Sequence, residues 1–198
     1  MPDHDFFKVV RSQRGVRYYK SDPVSEEDVD RILQAAVWAP SGSNLQPWRF
    51  IVVRDPAIKK RLGELNMEGS AASRGSGTVP PAPQGEPLNF NYGAEQVPVF
   101  IMVCMEKGGD QRRDVLRGGS IYPAVQNIML AAAALGLGTR LTTIWHHKDD
   151  EMAELLGIPD DMEAMALLPL GYPAEPDHLG GSKRSPASEV TFHDRWGA

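Results

Sequence analysis

The chain has 198 residues, of which 41% are hydrophobic and 24% charged. This length and composition suit a single globular domain with its own core, and they exclude a chain that is disordered throughout. There are 26 acidic and 21 basic residues, so the formal charge is −5. Nucleic acid is not an expected partner, because duplex binding depends on a basic face and the sequence has no basic stripe.

The cysteine count and the chain ends bear on the compartment. Cys104 is the only cysteine, so no intrachain disulfide can form, which is typical of a reducing compartment. The first residues resemble no signal peptide. The longest apolar stretch, 121–137, is interrupted by Pro123 and Gly136 and is too short to span a bilayer. We therefore expect a cytoplasmic protein with no membrane partner, in which Cys104 is a small buried residue.

Apolar spacing predicts helices that alternate with strands. Ser25 and Asp28 resemble a capping box, and apolar residues then recur at helical spacing until Pro40. The other predicted elements are a strand at 50–53, a short helix begun by Asp55–Pro56, a central strand at 97–105, a buried helix from Pro123 through Leu135, a strand at 140–145, a short helix at 150–156 and a strand at 165–171. This order predicts an α+β fold, with helices packed on a sheet, as one domain over 1–198.

Two segments depart from this alternation. Residues 66–96 are rich in Gly and Pro and show little periodicity, which predicts a long loop and a possible active-site lid. Residues 172–198 form a polar tail with too few apolar residues to build a core. We expect the tail to lie on another surface, such as a partner subunit.

Familiar catalytic motifs are absent from the sequence. There is no Gly-x-Ser-x-Gly elbow, no Walker loop and no Rossmann glycine pattern. His146 and His147 are adjacent, so their side chains diverge, and no metal site is predicted. What remains are three polar clusters: arginines at 11, 14 and 17 around Gly15, the hydroxyl and amide loop 39–48, and Lys183–Arg184. Together they offer cations for a phosphate, donors for a polyol and a glycine for close approach, which suits a phosphorylated, ring-bearing cofactor.

The ordered set of motifs resembles the nitroreductase-like family of FMN-dependent oxidoreductases. The opening run is Arg14-Gly15-Val16-Arg17-Tyr18-Tyr19, and the most specific match is the loop from Ala39 to Phe50. Further matches, in the family's order, are 123–127, 135–138, 141–143, 171–173 and 183–184. The resemblance implies a central, mostly antiparallel sheet flanked by helices. It also implies a homodimer with FMN at the subunit interface and a C-terminal tail that wraps the partner.

The same resemblance assigns expected contacts to FMN. Arg14, Lys183 and Arg184 would hold the phosphate, and Arg17 would lie near the pyrimidine edge. Gly15 stands where the family often has Ser, and Gln13 stands where it commonly has Arg. The expected contacts from the partner subunit are Pro40, Ser41, Gly42, Ser43 and Asn44, and the expected backbone contacts near flavin N5 are Leu141, Thr142 and Thr143.

The sequence thus indicates an enzyme that passes hydride by ping-pong from NADPH or NADH, through FMN, to a nitroaromatic, quinone or similar acceptor. No side chain is predicted to act as catalytic acid or base, because the flavin carries the hydride. Phe90 and Tyr92 are the candidate substrate contacts on the lid. The alternatives are a flavin-dependent dehydrogenase or oxidase of a small molecule or peptide, a non-catalytic flavin-binding protein, or a plain interaction protein. A dehalogenase of the same superfamily is disfavoured, because those enzymes use a lid Lys and 66–96 contains none.

Overall fold

A four-stranded antiparallel sheet lies at the centre of the part of the chain that the structure describes. This computed structural model describes residues 6–75, 78–79, 81, 89–180 and 183–197. The strands are β1 (Trp48–Val53), β2 (Val99–Glu106), β3 (Gly138–Thr139) and β4 (Met162–Gly171), in the order β1-β2-β4-β3. The predicted α+β class and the predicted antiparallel sheet are both confirmed.

Helices cover both faces of this sheet. They are α1 (Phe6–Ser12), α2 (Glu26–Val37), α3 (Pro56–Ser73), α4 (Gln111–Ala134) and α5 (Asp149–Leu156). The start of α2 is as predicted, because the Ser25 hydroxyl accepts the backbone N–H of Asp28 at 3.1 Å. None of the described helices is both long and apolar enough to cross a bilayer.

The central strand β2 is buried on both faces, because its alternate side chains belong to different cores. Its odd-numbered residues from Val99 to Met105 pack with α2 and α4. Its even-numbered residues from Phe100 to Cys104 pack with α3, α5 and Trp145. The prediction that Cys104 is buried is confirmed, and the long apolar run of β2 follows from having a core on each side.

The predicted loop at 66–96 is wrong in its first part, because α3 continues to Ser73. The helix contacts its neighbours through small and polar residues, so apolar periodicity does not reveal it. A β-carbon on Gly63 would lie 2.6 Å from Cβ of Ala94, and one on Gly69 would lie 2.7 Å from Cα of Trp145. The part of the predicted lid at 76–77, 80 and 82–88 lies outside the described residues.

Two other boundaries are corrected. The long helix does not begin at Pro123 but at Gln111, with Pro123 in its interior. The missing N–H of Pro123 frees the carbonyl of Gly119, and Gly119 is exposed, so water can satisfy that oxygen. The predicted strand 140–145 is reduced to one bridge between Thr142 and Leu167, followed by a 3₁₀ turn over Ile144–His147.

Candidate functional site

The arginine segment runs between the sheet edge and the beginning of the tail. On one side, the N–H of Val16 donates to the carbonyl of Thr139 in β3 at 2.9 Å. On the other side, the N–H of Ala174 donates to the carbonyl of Tyr18 at 2.9 Å, and the N–H of Gly180 donates to that of Ser12 at 2.9 Å. Residues 12–20 are therefore held by backbone hydrogen bonds along both edges.

Asp177 is the acidic centre of this arrangement. Its buried carboxylate accepts the backbone N–H of Arg17 and that of Tyr18, the latter at 3.2 Å. The same carboxylate lies 3.8 Å from the guanidinium of Arg14, which is 27% exposed. A charged acceptor strengthens such backbone bonds. Asp177 thus sets the backbone of the segment that carries both predicted arginines.

A third arginine, Arg140, lies beside Gly15, the glycine next to Arg14. A β-carbon on Gly15 would lie 3.8 Å from Cγ of Arg140. The guanidinium carbon of Arg140 lies 5.2 Å from the ring centroid of Phe90. Burial and the positive charge of Arg17 lower the pKa of Arg140, and Asp177 partly opposes them. Arg14, Arg17 and Arg140 thus share this neighbourhood with one carboxylate, an excess of positive charge that can bind an anion.

The predicted hydroxyl and amide loop forms a 3₁₀ turn over Gly42–Asn44. The N–H of Gly42 donates to the hydroxyl of Ser120 on α4 at 3.1 Å. Ser43 and Asn44 adopt positive φ of 51° and 56°, a conformation that strains non-glycine residues and is frequent at functional sites. Among the described residues, no hydrogen bond or ion pair joins Pro40, Ser41 or the turn to the arginine segment.

Residues 141–143, the segment predicted to lie near flavin N5 (the N5 segment), are held in place through the middle residue, Thr142. Thr142 exchanges both backbone hydrogen bonds with Leu167 at 3.0 Å. Its hydroxyl donates to Oδ1 of Asn66 at 2.8 Å, and Nδ2 of Asn66 donates to Oδ1 of Asn91 at 2.9 Å. Both Thr142 and Asn66 are buried. The side chain of Thr142 is therefore fixed in the interior by hydrogen bonds, while Leu141 and Thr143 on either side are half-buried.

Lys183 and Arg184 are exposed on the tail. The described contact between them is a hydrogen bond from Nη1 of Arg184 to the carbonyl of Lys183 at 3.0 Å. In the described part of the chain, no ion pair or hydrogen bond brings them to Arg14.

Phe90, one of the two candidate substrate contacts, is buried at 1% exposure in this chain. Its ring lies 6.5 Å from that of Phe100, and its N–H donates to the carbonyl of Arg17 at 3.0 Å. In these contacts it supports Arg140 and the arginine segment. Tyr92 is half-buried and lines a cavity of about 250 Å³ beside α3.

Sequence reasoning missed Asp177, Arg140 and Asn66. No local signal marks Asp177, because its partners lie about 160 residues away in the chain. Arg140 does carry a signal, since it is a lone charge within the apolar run from Leu135 to Trp145. Asn66 follows the last apolar residue of the predicted helix, and its role becomes visible only once α3 continues past it.

The domain has an α+β fold with an antiparallel sheet, and an arginine cluster lies at one edge of that sheet. Such a domain is suited to an anionic ligand. The chain belongs to the nitroreductase family, whose model matches residues 10–172. It is 29% identical over 85% of each chain to an Archaeoglobus fulgidus protein described as a putative NADH dehydrogenase/NAD(P)H nitroreductase. It is 31% identical over 97% of each chain to a Thermus thermophilus protein described as an NADH dehydrogenase.

The fold is also found in a solved structure of oxidized iodotyrosine deiodinase bound to FMN and 3-iodo-L-tyrosine. The TM-score is 0.73 at 22% identity, and the match covers 94% of this chain and 100% of the other. This likeness confirms the fold of the chain.

Proposed function

We propose that the protein is an FMN-dependent oxidoreductase that passes hydride by ping-pong from NADH or NADPH to a nitroaromatic, quinone or similar acceptor. Its relatives are described by NADH and NAD(P)H activities, and FMN is bound in a solved structure of the same fold. The observation that carries the proposal is the excess of arginine at the sheet edge of a chain in the nitroreductase family.

The described residues fit FMN as the cofactor. When bound, FMN supplies a ring that can accept and release a hydride. Arg14 is half-buried beside Asp177, and with Lys183 and Arg184 it would neutralise the phosphate. Arg17 would place positive charge at the pyrimidine edge, where it favours the reduced, anionic ring. Gly15 has no side chain and keeps the approach open.

The second contact set comes from the loop and the N5 segment. We assign the loop contacts to the partner subunit, as the family resemblance implies; within the described residues no hydrogen bond or ion pair links the loop to the arginines. Thr142 would act as an internal anchor, with Leu141 and Thr143 facing the ring. The loop residues in this assignment are Pro40, Ser41, Gly42, Ser43 and Asn44.

Exposed apolar residues support a homodimer with the site at its interface. Leu116 on α4 is 69% exposed and borders a cavity of about 340 Å³ shared with Gly42 and Leu45. Phe7 on α1 is 72% exposed, and Trp196 on the tail is 91% exposed. Leu45 and Leu116 line the same cavity, and neighbouring exposed apolar residues of this kind are typical of surfaces covered by a partner. The polar tail would then wrap the second subunit, bringing Lys183 and Arg184 to the phosphate.

The decisive test is the visible spectrum of the purified protein followed by anaerobic addition of NADPH and NADH. A yellow protein bleached by either donor and restored by a quinone or nitroaromatic supports the proposal. A yellow protein that neither donor bleaches contradicts it and favours the dehydrogenase or the non-catalytic flavin protein. A protein that stays colourless after incubation with FMN contradicts the cofactor assignment.

A further inference from the structure

Arg140 is a half-buried cation whose guanidinium has a neighbouring ring but no hydrogen-bond acceptor within the described residues. A guanidinium carries five N–H donors, and leaving them unpaired away from water is costly. Burial and the positive charge of Arg17 both lower the pKa of Arg140, so they disfavour its charged form. Phe90 contributes a cation–π contact, worth about 0.5–2 kcal/mol. A ring face offers no lone pairs, so the N–H groups, which are not buried, remain open to an acceptor from outside the chain.

No described side chain supplies that acceptor. Asp177 is the nearest acid in the electrostatic environment of Arg140, but its carboxylate already serves Arg14 and two backbone N–H groups. Tyr19 is buried, its hydroxyl donates to the carbonyl of Val16 at 2.7 Å, and burial raises its pKa, so it stays neutral. Trp145 Nε1 is the one buried side-chain nitrogen or oxygen without a partner among the described residues, so the nitrogens of Arg140 are accessible from outside the chain, where water or a bound ligand can supply the acceptor.

We propose that Arg140 binds the isoalloxazine ring of FMN at its pyrimidine edge. The inference rests on the proposed function. Arg140 directly precedes Leu141, and consecutive Cα atoms are about 3.8 Å apart, so it belongs to the segment assigned to the ring. The planar fork of a guanidinium matches the neighbouring nitrogen and carbonyl oxygen of that edge, which carry the charge of the reduced ring.

The phosphate is the less suitable acceptor. Two of the cations assigned to it, Lys183 and Arg184, are exposed on the tail, and the third, Arg14, lies 3.8 Å from Asp177, whereas Arg140 is half-buried beside an aromatic ring. Guanidinium is weakly hydrated, which suits a partly desolvated contact with a delocalised ring. Phe90 is then a positioning residue, because its ring supports the guanidinium and its backbone is bound to Arg17.

The test compares FMN with riboflavin, which has the same ring and no phosphate, in full-length Arg140→Met, Arg140→Lys and wild-type protein. We expect R140M to weaken binding of both flavins about tenfold. We also expect it to reduce the preference for reduced over oxidised FMN about tenfold, which lowers the two-electron potential by about 30 mV. R140K should restore most of the potential but not all of the affinity. Arg31→Met, which removes an exposed cation on α2, should leave both quantities unchanged.

Each contrary result has a distinct meaning. A loss of affinity for FMN alone would assign Arg140 to the phosphate and overturn the proposal, as would an unchanged potential. If R140M does not fold, Phe90→Leu replaces the supporting ring by an apolar side chain and should shift riboflavin affinity and potential in the same direction, by less. No shift in F90L would also overturn the proposal. A wild-type protein that binds neither flavin contradicts the proposed function itself.

Discussion

The carboxylate of Asp177 accepts the backbone N–H of Tyr18 at 3.2 Å, joining residues separated by 159 positions in the sequence. Through this contact and its bond to the N–H of Arg17, an acid holds the segment that carries the positive charges. A carboxylate in this position weakens anion binding because its negative charge repels the anion. It also favours anion binding, because it fixes the backbone that carries the arginines. The two effects have opposite signs, so a substitution can separate them.

We predict that Asp177→Asn weakens FMN binding about tenfold or more, although it removes a negative charge. The amide keeps the shape but loses charge-assisted acceptance of two N–H groups, a loss of about 1–3 kcal/mol. Fluorescence titration of apoprotein with FMN measures the change. Asp22→Asn, at an exposed acid beyond the same segment, should bind FMN as well as wild type or slightly better. Tighter binding in D177N would mean that Asp177 acts only as a repulsive charge.

The double substitution Lys183→Ala with Arg184→Ala should discriminate between flavins. Removing two cations assigned to the phosphate should weaken FMN binding about 10- to 100-fold and leave riboflavin binding unchanged. The same titration measures both ligands. Lys20→Ala, at an exposed cation outside the tail, is the control. Equal losses for FMN and riboflavin would instead indicate that the tail holds the dimer together without contacting the phosphate.

Thr142→Val should destabilise the fold by about 1–3 kcal/mol. Valine has nearly the same shape but cannot donate to Oδ1 of Asn66, which is buried and would lose a partner 2.8 Å away. Urea unfolding measures the loss, with an unchanged slope expected. Thr191→Val, which removes an exposed hydroxyl bonded to Ala187, should stay within about 0.5 kcal/mol of wild type. Equal stability of T142V and wild type would contradict the buried network.

Gly69→Ala should destabilise the fold although it improves helix propensity. The added carbon would meet the backbone of Ile144 and would lie 2.7 Å from Cα of Trp145, so α3 must move away from the turn, at a cost of about 1–3 kcal/mol. In α4, the carbon added by Gly119→Ala would meet no atom within 4 Å. This substitution should therefore raise the free energy of unfolding by about 0.5–1 kcal/mol. Thermal and urea unfolding of both variants check this contrast. A stabilised G69A would contradict the close packing.

Stability should fall with rising pH between about 9 and 11 because of Cys104. Burial raises the pKa of its thiol from 9.0 to about 11. In this window the unfolded chain has released the proton while the folded protein keeps it, so deprotonation favours unfolding. Between pH 8 and pH 10, wild type should lose about 1 kcal/mol more than Cys104→Ala in urea unfolding. Parallel losses in the two proteins would mean that the folded thiol titrates normally.

Elements with a local chemical signature were predictable from the sequence. The cap at Ser25 and the apolar spacing behind it defined α2, and the long apolar run defined β2 as a buried central strand. Arg14 and Arg17 were recognised because they flank a glycine in a short run. Their position at the edge of β3 supports, but does not test, the role assigned to them.

Features that depend on distant contacts were not predictable. The second half of α3 has small residues on its packing face, so it shows no apolar periodicity. Phe90 is in a polar, Gly/Pro-rich region, and its ring is buried by packing beside Phe100 in the core on one face of the sheet, which no local pattern reveals. Asp177 looks like any charged residue of a polar tail until the tail is placed beside the arginine segment.

Backbone hydrogen bonds hold residues 12–20 along both edges, and this two-sided clamp constrains when the protein can become functional during synthesis. The arginine segment is synthesised about 160 residues before Asp177, which holds it in the folded protein. At about 5–20 residues per second, the segment waits on the order of ten seconds or more for Asp177. A nascent chain therefore has the cations without the geometry. A premature stop before Asp177 yields a product with the strands of the sheet but without the contacts that hold the arginine segment.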